Sequence, residues 1–209
     1  MTAIEDKRAL RRRILSLRRA LPPAEAGSRS LQVLRALWSS GLLLGRRTVA
    51  LYAAAGGEVE TRLLFHQLRA EGMRVALPRV RGGGPELDFF AVSDWEGLLV
   101  SRLRIPEPAP VGEPLLPSAF DLMVVPGVAF DRCGGRLGYG MGCYDRVLVG
   151  LRPEAPRVGL GYDFQLLPRV PREAHDVPLS AVVTESEIVL VPTGTGDYAY
   201  REKGERPCQ

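Results

Sequence analysis

Three glycines at every second position, Gly138, Gly140 and Gly142, stand between two arginines in the run Arg136-Leu137-Gly138-Tyr139-Gly140-Met141-Gly142-Cys143-Tyr144-Asp145-Arg146. Glycines let backbone N–H groups crowd around an anion, and arginines add charge and forked donors, so the combination suits a phosphate. Upstream, Leu122-Met123-Val124-Val125, bounded by Asp121 and Pro126, is short and β-branched enough to be a buried strand. Downstream, Val147, Leu148 and Leu151 recur at helical spacing, which places a helix start near Tyr144. Strand, glycine loop and helix start together aim unpaired N–H donors at one point. The spacing is not the dinucleotide fingerprint, because Cys143 stands where its third glycine belongs, nor is it the Gly-Lys-Ser/Thr phosphate loop. The glycines alone leave a tight structural turn open as the alternative.

Four other groups of residues have the types for chemistry. Lys7 and Arg11 lie four apart on a helix crowded with Arg8, Arg12, Arg13, Arg18 and Arg19. Most of those charges read as a solvated face, but a four-residue step puts Lys7 and Arg11 side by side. Lysine is the rarer choice here: only 2 of the 28 basic residues are lysine, Lys7 and Lys203, so chance supplies one at position 7 about once in fourteen. Glu58, in Gly57-Glu58-Val59-Glu60-Thr61, sits between a strand end and a helix start, where a carboxylate also suits the helix dipole. His175-Asp176 forms a polar patch before a late strand, and Tyr162 follows a strand, as a pocket wall or a core aromatic. His66, midway along an amphipathic helix, reads as structural.

The segment Val125-Pro126-Gly127-Val128-Ala129-Phe130-Asp131, continued by Arg136 to Arg146, resembles the signature of the 5-formyltetrahydrofolate cyclo-ligases, also called methenyltetrahydrofolate synthetases. The resemblance runs from about Lys7 to Glu185. It implies an ATP- and Mg²⁺-dependent ligase that cyclises 5-formyltetrahydrofolate to 5,10-methenyltetrahydrofolate. It also implies ATP contacts from Lys7, Arg11 and the loop Arg136, Leu137, Gly138, Tyr139, Gly140, Met141, Gly142, Cys143 and Tyr144, with Lys7 and Arg136 as catalytic charges. Glu58 is the implied folate-binding carboxylate, with Ala53, Tyr139 and Tyr162 beside it, and Asp145 and Asp176 are the implied magnesium ligands. Whether His175 stands next to that metal is left open by the sequence. Two departures stand out: Cys143 replaces the family's usual tyrosine, and Met141 stands where lysine or glycine is commoner. Without the resemblance, a phosphate-binding α/β protein such as a sugar-phosphate isomerase, or a nucleic-acid binder using the basic helix, remains open.

The elements that must position these residues are legible as patterns. Leu10, Ile14, Leu17 and Leu21 predict an amphipathic helix over 4–20, stopped by Pro22-Pro23. A second helix carries Leu31, Leu34, Leu37 and Trp38 and ends at Gly41; a third runs from a Thr61 cap to Ala70. Strands are expected at 48–52, 75–77, 87–92, 122–125, 158–160, 181–183 and 188–190, with an irregular crossing through Pro106 to Pro114. The alternation predicts an α/β fold: a single layered domain over 1–192, with a mostly parallel central sheet and helices on both faces. A polar, disordered tail is expected over 193–209.

At 209 residues the chain can bury about 70% of the surface its unfolded form exposes. A net charge of +4 is modest for a nucleic-acid binder, and no apolar run is long enough for a bilayer. Composition therefore predicts neither a nucleic-acid nor a membrane partner; the small molecules expected, ATP and a reduced folate, are those the resemblance implies, acting on a cytoplasmic monomer. The three cysteines have no metal-ligand spacing and are expected to be reduced. The chain has no asparagine, 17 prolines and an arginine-dominated positive charge. That profile predicts a calorimetric melting midpoint above the mesophile range of about 45–65 °C; a midpoint inside it would leave the base composition of the gene as the better explanation.

Overall fold

A computed structural model describes residues 3–102, 104–173 and 175–192; the tail expected from residue 193 lies outside them. In chain order the elements are helices α1 (Ala3–Ala20) and α2 (Pro23–Ser39), strand β1 (Thr48–Ala50), helix α3 (Arg62–Ala70), strands β2 (Arg74–Val80), β3 (Leu87–Val92), β4 (Leu99–Val100), β5 (Pro106–Glu107), β6 (Leu122–Val125), β7 (Ala129–Asp131) and β8 (Arg136–Leu137), helix α4 (Cys143–Leu148), and strands β9 (Arg157–Leu160), β10 (Leu166–Leu167), β11 (Ala181–Val183) and β12 (Ile188–Leu190). Pro23 opens α2 because a first-turn proline loses no helical hydrogen bond. Thr61 stands at the α3 N-cap as expected, but its hydroxyl bonds the Tyr52 carbonyl at 2.5 Å. The Glu60 carboxylate caps instead, accepting from Arg62 N at 2.9 Å.

Seven strands form the central sheet in the order β12-β11-β9-β6-β1-β2-β3. Every neighbouring pair is parallel except the two edges, β11–β12 and β2–β3. Side chains along the strands alternate between two cores. Val49, Val75, Val124 and Leu160 pack with Leu34 and Leu37 of α2 and Leu64, Phe65 and Leu68 of α3. Ala50, Ala76, Met123 and Val125 pack with Val147 and Leu148 of α4. Because successive strand residues face opposite ways, helices cover both faces, as the sequence pattern required.

The chain leaves β1 toward β2 on one side and returns to place β6 on the other. The carboxyl ends of β1 and β6 therefore diverge at a topological switch point, where open α/β sheets bind their ligands. A second, three-stranded sheet in the order β10-β7-β8 follows directly from the β6 end. Its strands are two or three residues long, too short for periodicity to reveal, and none was expected. Ile14 packs α1 against this small sheet through Val128, Ala129, Leu137 and Val170.

That docking corrects the phase of α1. The apolar stripe predicted a buried Leu17, yet Leu17 is 46% exposed and Arg18 is 2% exposed. The inward face is Lys7, Arg11, Ile14 and Arg18, a four-three-four stripe in which only the third residue is apolar. Acceptors on the loops it covers make this polar face the stable one.

Candidate active site

Lys7 enters from α1 as a buried side chain, and its Nζ lies 2.9 Å from Asp176 Oδ2 and 3.1 Å from Glu173 Oε1. Burial pushes the Asp176 carboxyl up, but the Lys7 ammonium, the Glu173 amide and His175 outweigh it and hold it below the ordinary range. One turn on, Arg11 Nε donates to the Gly138 carbonyl at 2.7 Å and fixes α1 to the glycine loop. Gly140 and Gly142 have φ of 108° and 66°, which side chains rarely tolerate; this is the physical need that two of the three alternating glycines meet. Arg136 belongs to β8 and not to the loop, so its guanidinium is fixed: Nη2 donates to Asp145 Oδ1 at 2.8 Å, and its centre lies 6.0 Å from the Tyr144 ring. Its Nε is buried without a hydrogen-bond partner. Asp145 Oδ1 also accepts from Val177 N at 3.5 Å, so the helix start and the 173–177 turn are neighbours.

Across the Tyr139 loop lies a cleft of about 460 Å³ at the β1 end, lined by Arg18, Ser30, Gly57, Glu58, Glu60 and Tyr162. Glu58 is half-buried; Oε2 accepts from Ala55 N at 3.0 Å and Oε1 from the Tyr139 hydroxyl at 3.1 Å. Burial raises its pKa, and the Arg18 charge and these two hydrogen bonds offset only part of the rise. Below that raised pKa the carboxyl gains a proton and loses its capacity to accept on both oxygens. A cationic, glycine-lined rim thus meets a cleft that carries the Glu58 and Glu60 carboxylates, and Tyr139, on the glycine loop, reaches Glu58.

The 5-formyltetrahydrofolate cyclo-ligase family model matches residues 3–185, nearly all of the described chain. The chain belongs to that family. The 5-formyltetrahydrofolate cyclo-ligase of Escherichia coli K12 is 36% identical over 174 residues, covering 82% of this chain and 96% of the relative. That of Mycolicibacterium smegmatis is 36% identical over 186 residues, covering 86% and 93%. Among solved structures, the Aquifex aeolicus 5,10-methenyltetrahydrofolate synthetase superposes with a TM-score of 0.79 at 34% identity, covering 95% of this chain and 99% of that one. The Mycoplasma pneumoniae synthetase gives a TM-score of 0.70 at 26% identity. The cyclo-ligases are ATP-dependent ligases of folate metabolism, so the isomerase-like alternative is not favoured.

Within this cyclo-ligase fold the residues singled out from sequence fall unevenly. Lys7 pairs with Asp176, Arg11 with the Gly138 carbonyl and Arg136 with Asp145; these are separate contacts, the Val177 N–Asp145 bond makes the two carboxylates neighbours, and Glu58 pairs with Tyr139 beside them. Leu137 turns its side chain into the α1 core, and its carbonyl is taken by Val128 N at 2.7 Å. Ala53 is buried in the core at the β1 end. The Tyr162 ring is fully buried and stacked on Phe164, and its hydroxyl meets Ser30 Oγ at 3.0 Å, so it is a core aromatic under the cleft. Met141 is exposed, its carbonyl held by Arg146 Nη1 at 2.9 Å, and Cys143 is a half-buried free thiol raised in pKa by burial. His175 is exposed but lies 3.8 Å from Asp176 Oδ1. His66 packs edge-on to Phe65 on α3, away from these contacts. Helix α4 has six residues, so the loop amides and arginines, more than a helix dipole, carry the positive field.

Among the described residues no three carboxylates, histidines or cysteines cluster as a metal cage. Asp145 and Asp176 are each paired with a cation. That donor set fits magnesium only in the manner usual for nucleotide enzymes, one or two carboxylates completed by waters and phosphate oxygens. Two residues that sequence reasoning passed over also belong here, Arg18 and Glu173. Helical spacing puts Arg18 on the face of Arg11, seven residues on, but nothing local to the helix marks that face as the inward one.

Proposed function

We propose that this chain cyclises 5-formyltetrahydrofolate to 5,10-methenyltetrahydrofolate with ATP, with Lys7, Arg11 and Arg136 at the phosphates and Glu58 at the pterin. The observation that carries this division is the junction itself: a cationic glycine rim and a carboxylate-bearing cleft share Tyr139. The chemistry requires such a junction. A formamide oxygen is a poor leaving group, so attack by the 10-nitrogen on the formyl carbon stalls without activation. Transfer of the γ-phosphoryl group to the formyl oxygen releases ADP and creates a phosphate leaving group. The 10-nitrogen then bonds the formyl carbon and loses its proton, the carbon–oxygen bond breaks, and phosphate departs.

Positioning and charge stabilisation do most of the work in such transfers. Lys7 supplies a compact ammonium and Arg136 a guanidinium fixed in a strand; both face negative charge that grows as the phosphoryl group moves. Arg11 anchors the loop through Gly138. Asp145 and Asp176 would hold Mg²⁺, which when bound neutralises phosphate charge. The two oxygens of Glu58 match the flat donor edge of a pterin. No side chain is needed as a general base. The chain acts as a cytoplasmic monomer on small molecules, folded as one unit over 1–192, without nucleic acid or membrane; among the described residues no helix is long and apolar enough to cross a bilayer.

An absorbance assay for methenyltetrahydrofolate tests the reading. Product is expected from 5-formyltetrahydrofolate only when ATP and Mg²⁺ are both present. Equal turnover without ATP, or none from folded protein under any condition, overturns it.

A further inference from the structure

We propose that Arg18 is a positioning residue for the folate half of the site: it bridges the crevice between the β1 and β6 ends and passes a polarised hydrogen bond through Tyr139 to Glu58. The inference rests on the reading of Glu58 as the folate's partner. Arg18 is 2% exposed, and its fork reaches three separate loops. Nε donates to the Gly56 carbonyl after β1 at 2.9 Å, Nη1 to the Gly127 carbonyl after β6 at 3.4 Å, and Nη2 to the Tyr139 hydroxyl. The guanidinium carbon also lies 5.6 Å from the centre of the Tyr139 ring. The turn wraps the side chain closely: a Cβ on Gly57 would meet Arg18 Cγ at 3.4 Å, and one on Gly56 would meet Nη2 at 3.5 Å.

The direction of this chain of bonds follows from donor and acceptor capacity. An arginine only donates, so the Tyr139 oxygen must accept from it. The hydroxyl hydrogen is then directed to its other neighbour, Glu58 Oε1 at 3.1 Å. Each donation strengthens the next, and an ionised Glu58 is the acceptor the sequence of bonds favours. A buried guanidinium is costly unless its donors are used. Here the described acceptors are two loop carbonyls and a hydroxyl, and the hydrogen bonds reach the Glu58 carboxylate through Tyr139. Packing alone would be served by an apolar side chain in the Ile14 stripe; the fork is explained by what it holds.

Steady-state kinetics on the full-length chain, varying 5-formyltetrahydrofolate and MgATP in turn, test the assignment with Arg18→Met, Arg18→Lys, Tyr139→Phe and the Arg18→Met/Tyr139→Phe double variant. Arg18→Met and Tyr139→Phe are each expected to raise the folate KM about tenfold, the size of one charge-assisted hydrogen bond, with the MgATP KM within about twofold of the parent. The double variant should be no worse than the poorer single, because both break one relay. Lysine restores charge but not the fork, so Arg18→Lys keeps most of the defect. Equal rises in both KM values, or additive losses, would show a merely structural role and overturn the proposal. Should Arg18→Met not fold, Tyr139→Phe, altered at a half-exposed side chain, decides: a parental folate KM refutes the relay. Glu58→Gln separates the two readings. If it weakens folate while Arg18→Met does not, this inference alone fails; if it binds folate like the parent, the Glu58 reading beneath it fails.

Discussion

Replacing Lys7 by methionine is expected to lower kcat for methenyltetrahydrofolate formation by about 10²–10³, the cost of removing one preorganised charge from a developing oxyanion. Methionine keeps most of the buried stem and deletes the ammonium that stands 2.9 Å from Asp176 and 3.1 Å from Glu173. The loss is twofold in kind. The γ-phosphoryl group loses its positive partner, and two carboxylates that Lys7 neutralised are left facing it. Lys7→Arg should recover only part of the activity, because a planar fork cannot replace a compact ammonium between two carboxylates. Composition agrees: arginine supplies all but 2 of 28 basic residues, and position 7 nonetheless holds lysine. Thermal melts taken in parallel separate lost ion pairing from lost catalysis. A Lys7→Met variant that turns over within tenfold of the parent would show that the ammonium serves the 173–176 turn and not the phosphates.

Why Lys7 was legible from sequence while Arg18 was not has a physical answer. The glycine loop, the central strand 122–125, both late strands and the parallel sheet follow from local patterns: positive-φ glycines, short β-branched runs and helical spacing. The face that α1 turns inward does not, because its acceptors come from elsewhere. Gly56 and Gly127 lie 38 and 109 residues from Arg18, and Asp176 lies 169 from Lys7. Hydropathy counts a charge as outward unless its partner is local, so Leu17 was expected inside and Arg18 outside. The same blindness hid Glu173. The strands of the small sheet were missed for another reason: β8 is only Arg136–Leu137, and a two-residue strand has no period. Yet this strand is what fixes Arg136 against Asp145.

Metal and folate should prove separable by mutation. Asp145→Asn and Asp176→Asn are each expected to raise the Mg²⁺ and MgATP requirement about tenfold or more, since a Mg²⁺ that these two carboxylates would hold would lose half its protein charge. The apo ion pairs sharpen the expectation. Asp145 is bonded to Arg136 at 2.8 Å and Asp176 to Lys7, so each substitution also frees a cation whose position was set by that bond. Binding of 5-formyltetrahydrofolate alone should be nearly unchanged, because Glu58 lies in the cleft beyond Tyr139. Glu58→Gln should do the reverse. Both carboxylate oxygens already accept, one from Ala55 N and one from the Tyr139 hydroxyl. A glutamine that keeps its oxygen toward Ala55 N–H must aim its NH₂ at Tyr139, which already accepts from Arg18. The hydroxyl then turns away, and the amide presents donors to a pterin edge that itself donates. That mismatch should weaken folate binding by about 1–3 kcal/mol, with MgATP affinity close to the parent's. Titration calorimetry of each ligand against the three variants reads the outcome. Equal weakening of both ligands in every variant would mean one undivided site, and parental folate affinity in Glu58→Gln would leave the carboxylate as a brace for the β1 turn alone.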